Sequence, residues 1–329
     1  MSDTVRVCLV GLGAIGRDVL KALVERPRLR LVAAADVALA GRDAGELTGL
    51  GAMGIPVHGQ VRDALGAGGD VDVALVLTSS GVENVVPVIE ASIEAGVDVI
   101  STCEELACAA WATPDLAARL DAAARARGAT VLGTGVNPGF VMDRLPLQIA
   151  GACVRVDAVH VERVLDAAKR RGPLRAKVGA DLTPDEFRAG VAAGRLGHRG
   201  LAQSCALIGA GLGIRFDEIR TTIDPVVATP QAPRAGVAPG RVAGLRQTAV
   251  GVRDDGRPVV HLDLEMSIAA PNPRDRIRIE GDPPLDVVVA GGTHGDRGTV
   301  ATVLNAIPAV VAARPGLLRV IDLPLYGPG

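Results

Sequence analysis

Aromatic residues are nearly absent from this chain, with three Phe, one Tyr and one Trp in 329 residues. Its hydrophobicity therefore comes from Ala, Val, Leu and Ile. A pocket built from them is mostly aliphatic and suits a small aliphatic or alicyclic ligand. Net charge is also small, at −2, and no long basic run occurs. That balance excludes nucleic acid and anionic membrane as main partners. The longest nearly uncharged apolar stretch, Gly298 to Ala313, contains Asn305 and Pro308. It is shorter than the ~20 residues a membrane span needs, so a buried helix is expected there. No secretory leader is visible, because the first apolar run leads straight into a glycine turn. The five cysteines, an odd number, include no Cys-x-x-Cys. Reduced thiols in a cytoplasmic protein are the expectation. Cys8 reads as core, and Cys103 and Cys108 have no nearby His to complete a metal site, so no metal is expected. There is no Gly-x-Ser-x-Gly elbow to support hydrolase chemistry.

The sequence does carry a nucleotide-binding signature. Val5 to Val10 is a β-branched apolar run, followed by Gly11-Leu12-Gly13-Ala14-Ile15-Gly16 and a helix-compatible stretch. Gly11 suits the tight turn, Gly13 the approach of a pyrophosphate, and Gly16 close packing of helix on strand; the helix start at Ala14 and Ile15 faces the anion. An acid, Asp36, follows a second apolar run about 20 residues on. There a carboxylate accepts hydrogen bonds from the adenosine ribose and repels a 2′-phosphate. Val37 beside it favours NAD, and Arg42 close by leaves NADP open. The plainer alternatives are an unliganded strand-turn-helix and an Asp that merely starts a turn.

Residues 1–137 alternate strand and helix, which predicts an α/β Rossmann domain, a doubly wound parallel sheet. One helix is expected to start at Thr113-Pro114-Asp115, with Thr113 as cap. Ligands lie beyond the carboxyl ends of such strands, which singles out Gly11–Gly16, Asp36 onward, Thr78-Ser79-Ser80-Gly81 and Ser101–Glu105. Residues 138–297 change rhythm. Val154 to Val164 alternates with period two, helices are expected from Pro184 and from Leu201 to Gly211, and more strands follow. This predicts a second α+β domain with an open, mainly antiparallel sheet, in which Pro225 to Pro239 is an irregular loop. It is the candidate substrate domain.

Two segments stand where chemistry is expected. Glu104-Glu105 follows the strand Val97–Thr102, where a side chain can reach a nicotinamide. In isolation, tandem carboxylates are solvated surface charges. Beside a redox cofactor, one can take a proton from an ammonium, stabilise an iminium and activate water. Gly133-Thr134-Gly135-Val136-Asn137-Pro138-Gly139-Phe140 joins the two domains. Asn137 has donors and acceptors for a carboxamide, and Phe140 is a candidate substrate contact. The alternative there is a hinge with no ligand contact. His160 points to one face of a strand. His198 and His294 lie in glycine-flanked loops, and His198 is the candidate for the substrate side.

Three segments carry a family resemblance: Ser101-Thr102-Cys103-Glu104-Glu105-Leu106; Gly133 to Asp143; and Asn305-Ala306-Ile307-Pro308 with Arg314-Pro315-Gly316-Leu317-Leu318 and Ile321-Asp322-Leu323-Pro324. They resemble 2,4-diaminopentanoate dehydrogenase and the native amine dehydrogenases. Val161 to Ala167, with Pro173 to Gly179, is more similar to the amine dehydrogenases. The resemblance implies NAD(P)-dependent deamination of a small amine to a ketone or aldehyde plus ammonia, reversible as reductive amination. It also implies a homodimer, a final helix (about 298–329) returning to the cofactor domain, and catalysis by the Glu pair, Glu104 ahead of Glu105. Cys108-Ala109 stands where family members carry an aromatic and a proline, which alters the pocket. Gly41 to Leu47 is similar to the cofactor domain of dihydrodipicolinate reductase, but that enzyme's paired-histidine motif is missing. The rivals are a ketone or imine reductase that does not use ammonia, and a nicotinamide-binding sensor without turnover.

Overall fold

The computed structural model describes residues 4–169 and 176–328. Pro173-Leu174-Arg175 of the amine-dehydrogenase-like segment lies outside the described residues. The chain divides into two compact units, 1–140 with 294–329, and 141–293.

The first unit begins with β1 (Val5–Val10), α1 (Ala14–Leu23), β2 (Leu29–Ala35), α2 (Ala44–Thr48), β3 (Val57–His58), α3 (Val61–Ala67), β4 (Val73–Val76), α4 (Val82–Glu94) and β5 (Asp98–Ser101). A 3-10 turn (Glu104–Cys108), α5 (Ala109–Ala112), α6 (Pro114–Arg127) and β6 (Thr130–Gly133) follow. The seven-stranded sheet has the order β13-β6-β5-β4-β1-β2-β3, with β13 formed by Gly316–Leu318 near the chain end. Every strand pair in it is parallel. Parallel strands are covered on both faces, which is why β4 (Val-Ala-Leu-Val) is wholly buried and its sequence is continuously apolar. Helix α1 buries Gly16, Val19, Leu20 and Leu23 along one stripe. The order of strands reverses at β1, between β2 and β4. The crevice beyond their carboxyl ends is thus the ligand position of a doubly wound sheet.

The second unit holds α7 (Arg144–Ala150), β7 (Arg155–Asp166), α8 (Pro184–Ala192), α9 (Leu201–Gly211), β8 (Glu218–Val227), β9 (Val242–Val252), β10 (Pro258–Ser267), β11 (Arg274–Asp282) and β12 (Leu285–Ala290). Its sheet runs β12-β11-β7-β10-β9-β8. The alternation of β7 is realised: Val159 and Val161 are buried, and His160 stacks on His261 of β10 with ring centroids 4.7 Å apart. Helix α8 opens with a full capping box, Thr183 and Glu186 bonding reciprocally. Helix α10 (Gly295–Val311) belongs to the first unit. Arg26 Nη2 donates to Asn305 Oδ1 at 2.7 Å, tying α10 to the end of α1.

The second sheet is mainly antiparallel, as expected, with β7 and β10 pairing in parallel within it. Three local expectations are corrected. Pro225 sits inside β8, where an edge strand tolerates the missing N–H. Thr113 precedes α6 but does not cap it: its hydroxyl donates to Ala109 O in the preceding turn at 3.1 Å. The tail supplies strand β13 as well as a helix.

One carboxylate in the first unit makes stability pH-dependent. Asp98 is half-buried at the start of β5, and burial pushes its pKa from 3.8 up to about 6, against the hydrogen bond it accepts from Thr130 N–H. A folded-state pKa raised above the unfolded one means stability is fully present below 3.8 and is lost as pH rises through about 6. Asp98→Asn keeps an acceptor for Thr130. After allowance for solvent screening, it is expected to be more stable than wild type by about 1–2 kcal/mol at pH 8 and nearly equal at about pH 3. Calorimetric melting at the two pH values checks this; a difference independent of pH would refute it.

Candidate active site

The glycine turn is built as its spacing requires. Gly11 has φ +92°, and a Cβ there would meet Thr78 Cγ2 at 2.8 Å and Leu77 O at 2.9 Å. A Cβ on Gly16 would lie 1.9 Å from Gly11 O, so no other residue lets α1 start this close to β1. Around Gly13, in contrast, the space is open. No side chain caps α1 at Gly13, and its first turn carries no acid. The free N–H groups and the helix dipole therefore remain available to an anion. Asp36 closes the other side: its Oδ2 accepts from Leu12 N–H at 2.8 Å and its Oδ1 from Ala38 N–H at 2.9 Å. These bonds fix the carboxylate at the end of β2, and each oxygen keeps capacity for a ribose hydroxyl. An open glycine cradle, an uncapped helix start and a pinned carboxylate together fit a dinucleotide.

The loop after β4 lies beneath this turn, with Thr78 exposed and in contact range of the Gly11 position. Ser79 serves its own helix instead. Its Oγ accepts from Gly81 N–H at 3.3 Å and from Asn84 Nδ2 at 3.2 Å. The loop after β5 presents the two glutamates in the 3-10 turn. Glu105 Oε2 accepts from Val82 N–H at 2.9 Å. Glu104 is half-buried and makes no hydrogen bond or ion pair among the described residues. Cys103, just before them, is fully buried, and burial raises its thiol to about 12, which keeps it protonated and unreactive. The loop after β6 is held by Thr134 N–H on Ser101 O at 2.9 Å and by Val136 N–H on Thr299 Oγ1 of α10 at 3.4 Å. Asn137 is buried there, and Phe140 is partly exposed.

The first unit thus brings Gly11, Gly13, Ala14, Ile15, Gly16, Asp36, Thr78, Ser79, Glu104, Glu105 and Asn137 to one edge of one sheet. His198 belongs to the second unit. The sequence reading missed Gln247. Its buried side-chain amide accepts from His198 N–H and donates to His198 O, both at 2.9 Å, and so holds the His198 loop. The signal was readable: Gln247 shares a strand face with buried Leu245 and Ala249, where an amide needs partners. His294 also has an unforeseen role, capping α10 by accepting from Arg297 N–H at 3.3 Å.

Comparison with known proteins places this geometry in a family. Residues 140–327 match the model of the 2,4-diaminopentanoate dehydrogenase C-terminal domain. The 2,4-diaminopentanoate dehydrogenase of Acetoanaerobium sticklandii is 30% identical over 98% of this chain and 94% of its own length. The chain belongs to the 2,4-diaminopentanoate dehydrogenase family. Within that family resemblance, residues 5–103 match the dihydrodipicolinate reductase N-terminus. An amine dehydrogenase of Streptomyces virginiae is 26% identical over 96% of this chain and 95% of its own length. The amine dehydrogenase of Mycobacterium smegmatis superposes with a TM-score of 0.83 at 26% identity, covering 98% of this chain and 96% of that one. Like other members of the 2,4-diaminopentanoate dehydrogenase family, the chain is an NAD(P)-dependent oxidoreductase. Among the described residues, no group of three His, Cys, Asp or Glu could hold a metal, and no helix is long and apolar enough to cross a membrane.

Proposed function

We propose that this enzyme oxidatively deaminates a small amine to a ketone or aldehyde and ammonia, and runs in reverse as a reductive aminase, with Glu104 as its acid/base. The observation that supports Glu104 is its unengaged carboxylate at the carboxyl end of β5, beside a neighbour whose carboxylate is already bonded. Gly11, Gly13, Ala14, Ile15, Gly16 and Asp36 would hold the dinucleotide, with Thr78 and Asn137 towards its nicotinamide end. When bound, the nicotinamide supplies the hydride acceptor. Glu104 takes a proton from the substrate ammonium, so that the nitrogen lone pair can support loss of hydride from its carbon. After releasing that proton to solvent, the Glu104 carboxylate faces the positive iminium carbon–nitrogen unit and stabilises it. It next receives a proton from the attacking water and passes it to the departing nitrogen. Substrate ammonium, oxidised cofactor and water become carbonyl, ammonium, reduced cofactor and one proton, which balances the reaction.

Phe140 and His198 are the proposed substrate contacts, and Gln247 fixes the loop that carries His198. The aliphatic composition supports a small aliphatic or alicyclic substrate, and the first-unit geometry at Asp36 supports NAD over NADP. The family resemblance supports a homodimer, and an odd set of five cysteines with no Cys-x-x-Cys supports a cytoplasmic setting. The experiment is NADH oxidation with a panel of small ketones at alkaline pH, with and without high ammonium. Turnover is expected only with ammonium. Equal turnover without it would make this a ketone reductase, and no turnover despite NADH binding would make it a sensor.

A further inference from the structure

The two adjacent glutamates are engaged very differently. Helix α4 starts at Val82 behind Gly81, which provides no side-chain cap. A carboxylate from another loop fills that role: Glu105 Oε2 accepts from Val82 N–H at 2.9 Å. A charged acceptor at a helix start gains from both the charge-assisted bond and the helix dipole. The same two loops are joined at further points. Cys103 Sγ donates to Ser80 O at 3.1 Å, and Glu105 N–H approaches the same oxygen at 3.5 Å. Ser101 Oγ donates to Val76 O at 3.0 Å and accepts from Cys103 N–H at 3.1 Å. Successive side chains in a 3-10 turn point about 120° apart, at three residues per turn. With Glu105 directed at Val82, Glu104 is turned away from α4.

We propose that Glu105 is a positioning residue: by capping α4 it locks the loop that carries Thr78 to the turn that carries Glu104. The cofactor loop and the acid/base are thereby held in one register. This rests on Glu104 as the acid/base. It assigns Glu105 an effect through two other groups, with no contact to the reacting atoms. It gives the two members of the pair separate tasks, one to react and one to hold.

The test measures kcat and KM for the amine, and NADH affinity by fluorescence titration, in Glu105→Ala, Glu105→Gln, Val82→Pro and Glu104→Gln. Glu105→Ala is expected to lose about 10- to 100-fold in kcat, the scale of a catalytic group misplaced by an ångström, and to bind NADH more weakly. Glu105→Gln retains a carbonyl that accepts from Val82 N–H and should recover most of both losses. Val82→Pro removes the N–H and keeps both glutamates. Proline is tolerated at a first helical position, and Gly81, at φ −86° and ψ 132°, already has a pre-proline conformation. It should reproduce the Glu105→Ala phenotype, and it remains informative if Glu105→Ala does not fold. Glu104→Gln should lose kcat and keep NADH affinity. If Glu105→Gln is as inactive as Glu105→Ala with NADH affinity intact, Glu105 is the acid/base and the proposal falls. It falls too if Glu105→Ala and Val82→Pro both behave as wild type. Retained turnover in Glu104→Gln would overturn the role of Glu104 separately, and the NADH-affinity comparison would still decide that of Glu105.

Discussion

Glu104→Gln is expected to lower kcat for amine oxidation by roughly 10²- to 10⁴-fold, the usual contribution of one positioned acid/base. The amide has almost the same shape and can still donate and accept, but it cannot take a proton from an ammonium or carry negative charge beside an iminium. NADH affinity should not change, because among the described residues Glu104 makes no bond that its loss would break. A neutral-amine substrate at high pH should recover part of the loss, since the first proton is then already absent. Steady-state kinetics with parallel NADH titration checks this. A variant within threefold of wild type, threefold being about 0.65 kcal/mol of barrier, would remove Glu104 from the mechanism.

The largest loss of stability is expected at the centre of the second unit. Arg163 and Asp275 are almost fully buried, with Nη1 2.9 Å from Oδ1. Arg163 Nη2 also donates to Thr293 O at 2.9 Å, and Thr293 N–H donates to Asp275 Oδ2 at 2.6 Å. Four groups thus satisfy one another away from water. Asp275→Ala strands a buried guanidinium and Thr293 N–H, and is expected to cost about 3–5 kcal/mol. Arg163→Met should cost about as much, through the orphaned carboxylate. The double variant Arg163→Met/Asp275→Leu should recover most of the loss, because no buried charge remains unpaired. Chemical denaturation of the three variants measures it, and additive losses in the double variant would contradict the account.

Local chemistry made much of the molecule legible. Gly11 to Gly16 announces its turn because backbone sterics decide it within six residues. Thr183-Pro184 with Glu186 announces a helix start for the same reason. Thr113 carried an equally good local signal and misled, because α5 ends immediately before it and its hydroxyl turns back to Ala109. Long-range pairing was less legible. Three residues of β13 carry no period, and nothing in β7 or β10 reveals that they run parallel. The order between Glu104 and Glu105 could not be read from residue type, since the distinction lies in one backbone N–H 23 positions away, at Val82. Gln247 left a trace in the alternation of β9, but its partner is a loop backbone 49 positions away.

The return of α10 and β13 to the first sheet has a consequence for synthesis. The second unit is contiguous, 141–293, and all its strands are present once residue 293 has emerged from the ribosome. The cofactor unit comes first in the chain but is completed last, because Leu132 of β6 waits for its partner Leu318, 186 positions further on. Closing so long a loop costs little more entropy than closing a short one, since the cost grows only with the logarithm of length. Time is the greater burden: at about 5–20 residues per second, the edge of β6 stays open for roughly ten seconds or longer while the second unit is made. The last strand and helix of the cofactor unit are therefore made at the end of translation, after the second unit has had the chance to fold.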